Sequence, residues 1–286
     1  EEIGNFNYIN PQMSKHLWLY EGITEYFAGI SQVKGGVIKR DEYITSVLRQ
    51  KIVTADRYPT DKMPFTEMSE NVLHKPYKKQ YMQVYQRGAL MGALLDIRII
   101  ELTQGEKDLL DIVLELRDIY GPNKSFKDDG FIEEFVALVH PDLQQFFDDY
   151  VSGTEPLPVQ KYLDKVGVLY DRNYVGPLVA DPLRDYGIKY RRIRGTKTLV
   201  IKKIGIENPF QFEEGDIIEL YSNQLQDEYG GPAAGTIIDL NIKRGTKSLV
   251  IPYEVTYKEG SKGHFIRMSR ESSPSQEQLL ELWLTN

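Results

Sequence analysis

The stretch SKHLWLYEGITEYFA (Ser14–Ala28) sets a carboxylate inside an aromatic, helix-prone run. On a helix from Ser14 to Ile30, Glu21 and Glu25 lie one turn apart on one face. Leu17 and Thr24 lie nearby, while Trp18, Tyr26 and Ile30 supply packing. Carboxylates avoid apolar helix faces unless something neutralises them. Two readings follow. Glu21 caps a neighbouring backbone or pairs with a Lys or Arg, or it binds a metal while Glu25 behind it orients a ligating His. On this pattern alone the first reading is favoured.

The helical pattern runs from about Lys15 to Tyr150. Asp41–Ala55, Gly88–Gly105 and Glu106–Gly121 carry apolar residues at helical spacing, and the last two close on Gly. Asp128–Val139 and Pro141–Val151 predict two shorter helices. Between Asp56 and Gln80 the spacing predicts a long loop rich in Pro, Lys and Tyr, a form often kept for function. After Ser152–Pro158 the signal changes to short β-type runs: Lys197–Ile206, Asp216–Tyr221, Thr236–Gly245, Lys247–Tyr257 and His264–Ser269. The near-repeats RGTKTLVI from Arg194 and RGTKSLVI from Arg244 predict two similar hairpins with solvated basic turns. The tail Ser273–Asn286 predicts a short amphipathic helix with Trp283 as a packing anchor.

The net charge of −7 argues against a nucleic-acid surface. With no cysteine among 286 residues there is no disulfide, thiolate nucleophile or Cys-zinc site, and any compartment fits. No apolar run reaches the roughly 18 residues of a membrane span, and the N-terminus does not read as a signal peptide.

WLYEGITEYFAG (Trp18–Gly29) resembles the third-ligand helix of gluzincin metallopeptidases, in which a Glu completes a zinc site begun by an H-E-x-x-H helix. YQRGALMGALLDIRI (Tyr85–Ile99) resembles the segment whose Tyr stabilises the tetrahedral intermediate. Together with FFDDYVSGTEPLP (Phe146–Pro158) and GDIIELYSNQ (Gly215–Gln224), these resemble the M61 glycyl aminopeptidases, in which a PDZ-like domain follows the catalytic domain. The resemblance covers most of residues 14–170. It implies that Glu21 is a zinc ligand, Tyr85 the catalytic tyrosine and Glu25 a carboxylate behind the ligand shell. Gly88 would permit close helix packing, or is a tolerated helix glycine.

The four histidines, His16, His74, His140 and His264, form no H-E-x-x-H, and each is expected at the surface or as a cap. On an ideal helix His16 and Glu21 sit about 140° apart, which keeps them off one ion. Either the sequence starts downstream of the motif, which the absent Met and the abrupt start favour, or the protein is a degenerate relative. The first case implies a zinc enzyme of which this chain holds one ligand and the tyrosine, binds no zinc alone and is inert alone.

The expected fold is therefore α+β in two domains: a mainly helical gluzincin subdomain over residues 1–158 and a degenerate PDZ-like β domain over 159–286. The expected function is the C-terminal portion of a zinc-dependent aminopeptidase acting on peptides. The alternative is a non-catalytic peptide-binding or scaffold protein with a degenerate metal site. PDZ-like domains capture peptide C-termini by strand addition. Here no clear carboxylate-binding loop is present, and LQDEYGGPAAG (Leu225–Gly235) is short for a groove helix. The resemblance also implies a periplasmic or extracellular location, with the cytoplasm as the alternative.

Overall fold

The computed structural model describes residues 7–56, 63–121, 124–174, 178–179, 183, 186–193, 196, 198–205, 207–218, 237–254, 256–258, 263–269 and 271–285. It is α+β, as expected, and divides into two compact units: Glu1–Asp171 with His264–Asn286, and Arg172–Gly263.

The first unit is helical. Trp18–Gly22 is a π-helical turn that runs into α1 (Ile23–Lys34). The Ile23 N–H reaches back to the Trp18 carbonyl, and the Thr24 hydroxyl donates to the Tyr20 carbonyl, so the wider turn keeps these groups bonded. A short turn α2 (Arg40–Glu42) leads through a second π segment, Tyr43–Leu48, into α3 (Arg49–Asp56). The stretch read as one long loop contains α4 (Phe65–Glu70) and a 3₁₀ turn, Tyr77–Gln80. A six-residue helix is too short to show periodicity.

Next comes α5 (Tyr81–Leu102), which starts ahead of the expected Gly88 because Gln83, Val84 and Arg87 continue its buried face. Buried on nearly every side from Gly88 to Ile97, it forms the axis of the unit. Asp108 and Asp111 form a capping box at the start of α6 (Leu109–Ile119). α7 (Phe131–Ala137) and α8 (Gln144–Tyr150) follow, the latter led in by a Pro141–Leu143 turn that the His140 side chain caps. Aromatic rings join these helices to the π turn. Ring centroids lie 6.3 Å apart for Phe131–Phe135, 5.2 Å for Phe135–Phe147 and 6.0 Å for Phe147–Trp18.

The helical unit reaches beyond the expected boundary near Pro158. α9 (Val159–Lys165) buries Tyr162 and Leu163 in its core, and α10 (Pro274–Thr285) returns to bury Leu280, Trp283 and Leu284 there. Apolar burial thus assigns both segments to the helical unit. Trp283 packs as expected. Its indole N–H donates to the Tyr26 hydroxyl at 2.9 Å, and Tyr26 donates to the buried carboxyl of Asp96. The other Asp96 oxygen accepts the Leu109 N–H at 2.8 Å. One buried chain of hydrogen bonds therefore ties α1, α5, the start of α6 and α10.

Strand β1 (Val168–Tyr174) pairs with β9 (Gly263–Met268). In the second unit β2 (Leu178–Val179) pairs antiparallel with β8 (Tyr257–Lys258). Five strands form an antiparallel sheet in chain order: β3 (Lys189–Arg192), β4 (Leu199–Lys203), β5 (Ile217–Ile218), β6 (Ile237–Arg244) and β7 (Lys247–Glu254). Leu199 and Ile201 on β4 and Leu240 and Ile242 on β6 alternate onto one buried face with Phe212, Ile218 and Tyr253. Both near-repeats fall at hairpins, β3–β4 and β6–β7. Arg194, Gly195 and Lys197 lie outside the described residues, as do residues 219–236, which include the segment read as short for a groove helix.

The second repeat corrects the expectation of a solvated turn. Gly245 takes φ 58° between the paired Arg244 and Lys247. Arg244 grips Asp216 bidentately at 2.8 Å from Nε and 2.8 Å from Nη2, and reaches Glu213 at 2.6 Å. Burial opposes a charged Asp216, yet the guanidinium holds its carboxyl below the usual range.

Burial pushes the Asp96 carboxyl from 3.8 up to about 6, against the lowering effect of Tyr26 and the Leu109 N–H. Between these values the folded chain holds a proton that the unfolded chain has lost, so this group's contribution to stability falls as pH rises from about 4 to about 6. Asp96→Asn should remove that slope. Denaturant unfolding of both chains across this window checks it, and parallel pH profiles would refute it.

Candidate active site

Glu21 sits on the π turn, and Gly22 follows it. A Cβ built on Gly22 would lie 2.7 Å from the Cα of Gly88 on α5, and one built on Gly88 would lie 2.8 Å from the Gly22 Cα. Only two glycines allow the backbones to come this close. One turn further along each helix, Gly92 faces Tyr26, with its Cβ position 3.2 Å from the Tyr26 Cβ. The crossing is thus fixed by small residues on α5 against the π turn and α1. Gly88 therefore has the packing role, not that of a tolerated helix glycine.

This crossing brings Glu21 to Tyr85, which lies three residues before Gly88. Glu21 lies close enough to Tyr85 for its carboxylate to raise the pKa of the phenol. Tyr81, one turn earlier on α5, places its hydroxyl 3.2 Å from that of Tyr85 and its ring edge-on at 5.6 Å. Burial, the bond to Tyr81 and the neighbouring Glu21 charge all push the Tyr85 phenol well above the ordinary tyrosine value. It stays protonated, and so a hydrogen-bond donor, throughout the neutral range.

Glu25 lies one turn on and forms an ion pair with Lys51 of α3. The Lys51 side chain is 14% exposed and that of Glu25 36%, so this pair sits at the rim. A carboxylate has about four acceptor positions, so Glu25 keeps capacity beyond Lys51. On α5 itself, the Arg87 guanidinium lies 4.6 Å above the Phe65 ring and fixes α4 against the helix that carries Tyr85.

Two of the four histidines depart from expectation. His16 is no surface or capping residue: it is 1% exposed, ringed by Trp18, Phe126 and Phe131, with Nε2 3.0 Å from the Asp128 carbonyl. The ideal-helix angle between His16 and Glu21 does not hold, since the backbone from Trp18 is π-helical. His264 is also enclosed, its Nδ1 2.8 Å from the Tyr170 hydroxyl and its Nε2 3.2 Å from Asp56. His140 is a cap, as expected. Among the described residues no three His, Asp or Glu side chains converge as a metal site. Glu21 is chemically suited to be one zinc ligand, but these residues do not complete a zinc site around it.

The sequence reading missed Tyr81, Lys51 and the π turn. Only Tyr81 left a signal: its i,i+4 spacing from Tyr85 puts both phenols on one helix face.

Residues 1–91, which include Glu21 and Tyr85, match the sequence profile of the M61 glycyl aminopeptidases. The M61 resemblance is borne out over that span. A crystal structure of an aminopeptidase N family protein from Idiomarina loihiensis superposes with a TM-score of 0.58 at 18% identity, over 98% of this chain and 50% of that one. This chain thus spans half the length of that neighbour, and the likeness is one of fold. No curated protein matches the chain. No helix among the described residues is long and apolar enough to cross a membrane.

Gly22→Ala and Gly88→Ala should each destabilise the chain by about 1–3 kcal/mol or more, because the added methyl meets backbone. The roughly 1 kcal/mol gained in helix propensity does not offset this. Gly121→Ala is the control: its Cβ meets nothing nearer than the Arg117 carbonyl at 3.7 Å. That change should stay within about 0.5 kcal/mol. Chemical denaturation of the three variants tests the contrast, and equal effects would contradict the crossing.

Proposed function

With residues 1–91 matching the M61 glycyl aminopeptidases, we propose that this chain is the C-terminal portion of a zinc-dependent aminopeptidase acting on peptides. The observation that carries the reading is the glycine crossing that brings Glu21 and Tyr85 close together, two residues of the types the resemblance assigns to the site, from segments about 60 residues apart. Each has a role its surroundings favour. The Glu21 carboxylate offers one hard oxygen ligand. The Tyr85 hydroxyl, kept protonated, donates to a peptide carbonyl oxygen as that oxygen takes on charge. Tyr81 holds the Tyr85 ring in place. Glu25, already paired with Lys51, accepts from a ligating imidazole with its remaining lone pairs.

The four histidines of the sequence form no H-E-x-x-H, the motif that supplies the two imidazoles and the general base of this chemistry. The chain alone therefore hydrolyses no peptide. The test uses the longest natural polypeptide that contains this sequence, beside the chain itself, each loaded with zinc, desalted and assayed on aminoacyl anilides. The longer polypeptide should hold zinc and hydrolyse substrate. In it, Glu21→Gln should lose the metal, while Tyr85→Phe should keep the metal and lower kcat by about a hundredfold to a thousandfold. EDTA-sensitive hydrolysis by the chain alone would contradict the proposal, as would full activity of either variant.

A further inference from the structure

Tyr81 is the first residue of α5, one turn ahead of Tyr85. Tyr81 is exposed and Tyr85 half-buried. Their hydroxyl oxygens lie 3.2 Å apart, and their ring centroids 5.6 Å apart with the planes at 75°. Edge-to-face packing of this kind is favourable in itself, so the pair is held together without a substrate. The chain ahead of Tyr81 is anchored as well. The 3₁₀ turn Tyr77–Gln80 runs straight into α5, and the Tyr77 hydroxyl donates to Glu67 on α4. The Arg87–Phe65 contact ties α4 in turn to α5.

A bond between two phenols can run either way, because each hydroxyl has one proton to give and lone pairs that accept. Its direction is decided once Tyr85 acts. A proton that Tyr85 donates to a peptide carbonyl oxygen is not available to Tyr81. Tyr81 is then the donor, and its proton fills a lone pair on the Tyr85 oxygen. Two consequences follow. A free hydroxyl proton rotates to suit its surroundings, but one on an oxygen that accepts from Tyr81 is turned away from Tyr81. The donor is thus aimed before charge develops on the carbonyl oxygen, which is what stabilisation of that charge requires. A hydroxyl that accepts a hydrogen bond is also polarised into a stronger donor.

We propose that Tyr81 is a positioning residue for peptide hydrolysis: its hydroxyl donates to Tyr85 and so directs the Tyr85 proton at the substrate carbonyl oxygen. The inference rests on the peptidase reading and adds to it a residue outside the motif. Tyr81→Phe, which removes the hydroxyl and keeps the ring, tests it in two settings. In the longer, zinc-loaded polypeptide it should keep the metal, lower kcat by about threefold to tenfold and leave KM within about twofold. Tyr81→Phe combined with Tyr85→Phe should be no slower than Tyr85→Phe alone, because the two hydroxyls act as one unit. In the chain itself, with tyrosine ring carbons labelled, Tyr81→Phe should shift the Tyr85 Cζ resonance and leave the α5 amides beyond its first two turns in place. With Tyr85→Phe slow, a fully active Tyr81→Phe variant would overturn this proposal and leave the peptidase reading standing. Losses that multiply in the double variant, or an unmoved Tyr85 Cζ resonance, would overturn it too. A fully active Tyr85→Phe variant would overturn both readings together.

Discussion

The contact between the backbones of Gly22 and Gly88 governs the helical unit. With no side chain on either residue, the π turn meets the central helix α5 at backbone distance. Everything around the candidate site inherits that geometry. Glu21 precedes one glycine and Tyr85 lies just short of a turn before the other, so the two residues lie close together beside the crossing. The π turn contributes as well. Its wider winding changes the side-chain phase between Trp18 and α1, and the Thr24 hydroxyl keeps the Tyr20 carbonyl bonded across it.

A second constraint holds the crossing from the far side. Tyr26 follows Gly22 by one turn, packs on Gly92 and donates a hydrogen bond to Asp96, while Trp283 donates to it from the C-terminal helix. A buried carboxyl fully engaged by a phenol and an amide is tolerated where an unpaired one would not be. The last helix of the chain thereby braces the helix that follows Glu21. This is why residues near the C-terminus belong to the helical unit, although the β-rich segment separates them from it in sequence.

The legibility of the sequence followed the range of the forces involved. Long helices such as the buried α5 and the amphipathic α6 were readable, because many apolar residues at helical spacing mark them at once. So were the hairpins at the two near-repeats, which need a glycine-bearing turn. The short α4 and α9 were not, since six or seven residues carry too little pattern. Glu21 and Tyr85 stood out through their motif context, but nothing local signalled that they lie close together. That proximity depends on a long-range fit between two glycines. His16 was read as a surface or capping residue; the aromatic wall from Phe126 and Phe131 that encloses it comes from more than a hundred residues away. The Arg244–Asp216 clasp was equally invisible, since it joins β6 to the start of β5.

The claim that the glycine crossing seats Tyr85 against Glu21 is tested most directly by following ionisation of the Tyr85 phenol by carbon NMR, in the natural chain and in Gly88→Ala. In the natural chain Tyr85 should remain protonated well past the pH at which exposed tyrosines ionise, and in the variant it should ionise closer to them. An ordinary titration of Tyr85 in the natural chain, or an unchanged one in a folded Gly88→Ala variant, would contradict the account.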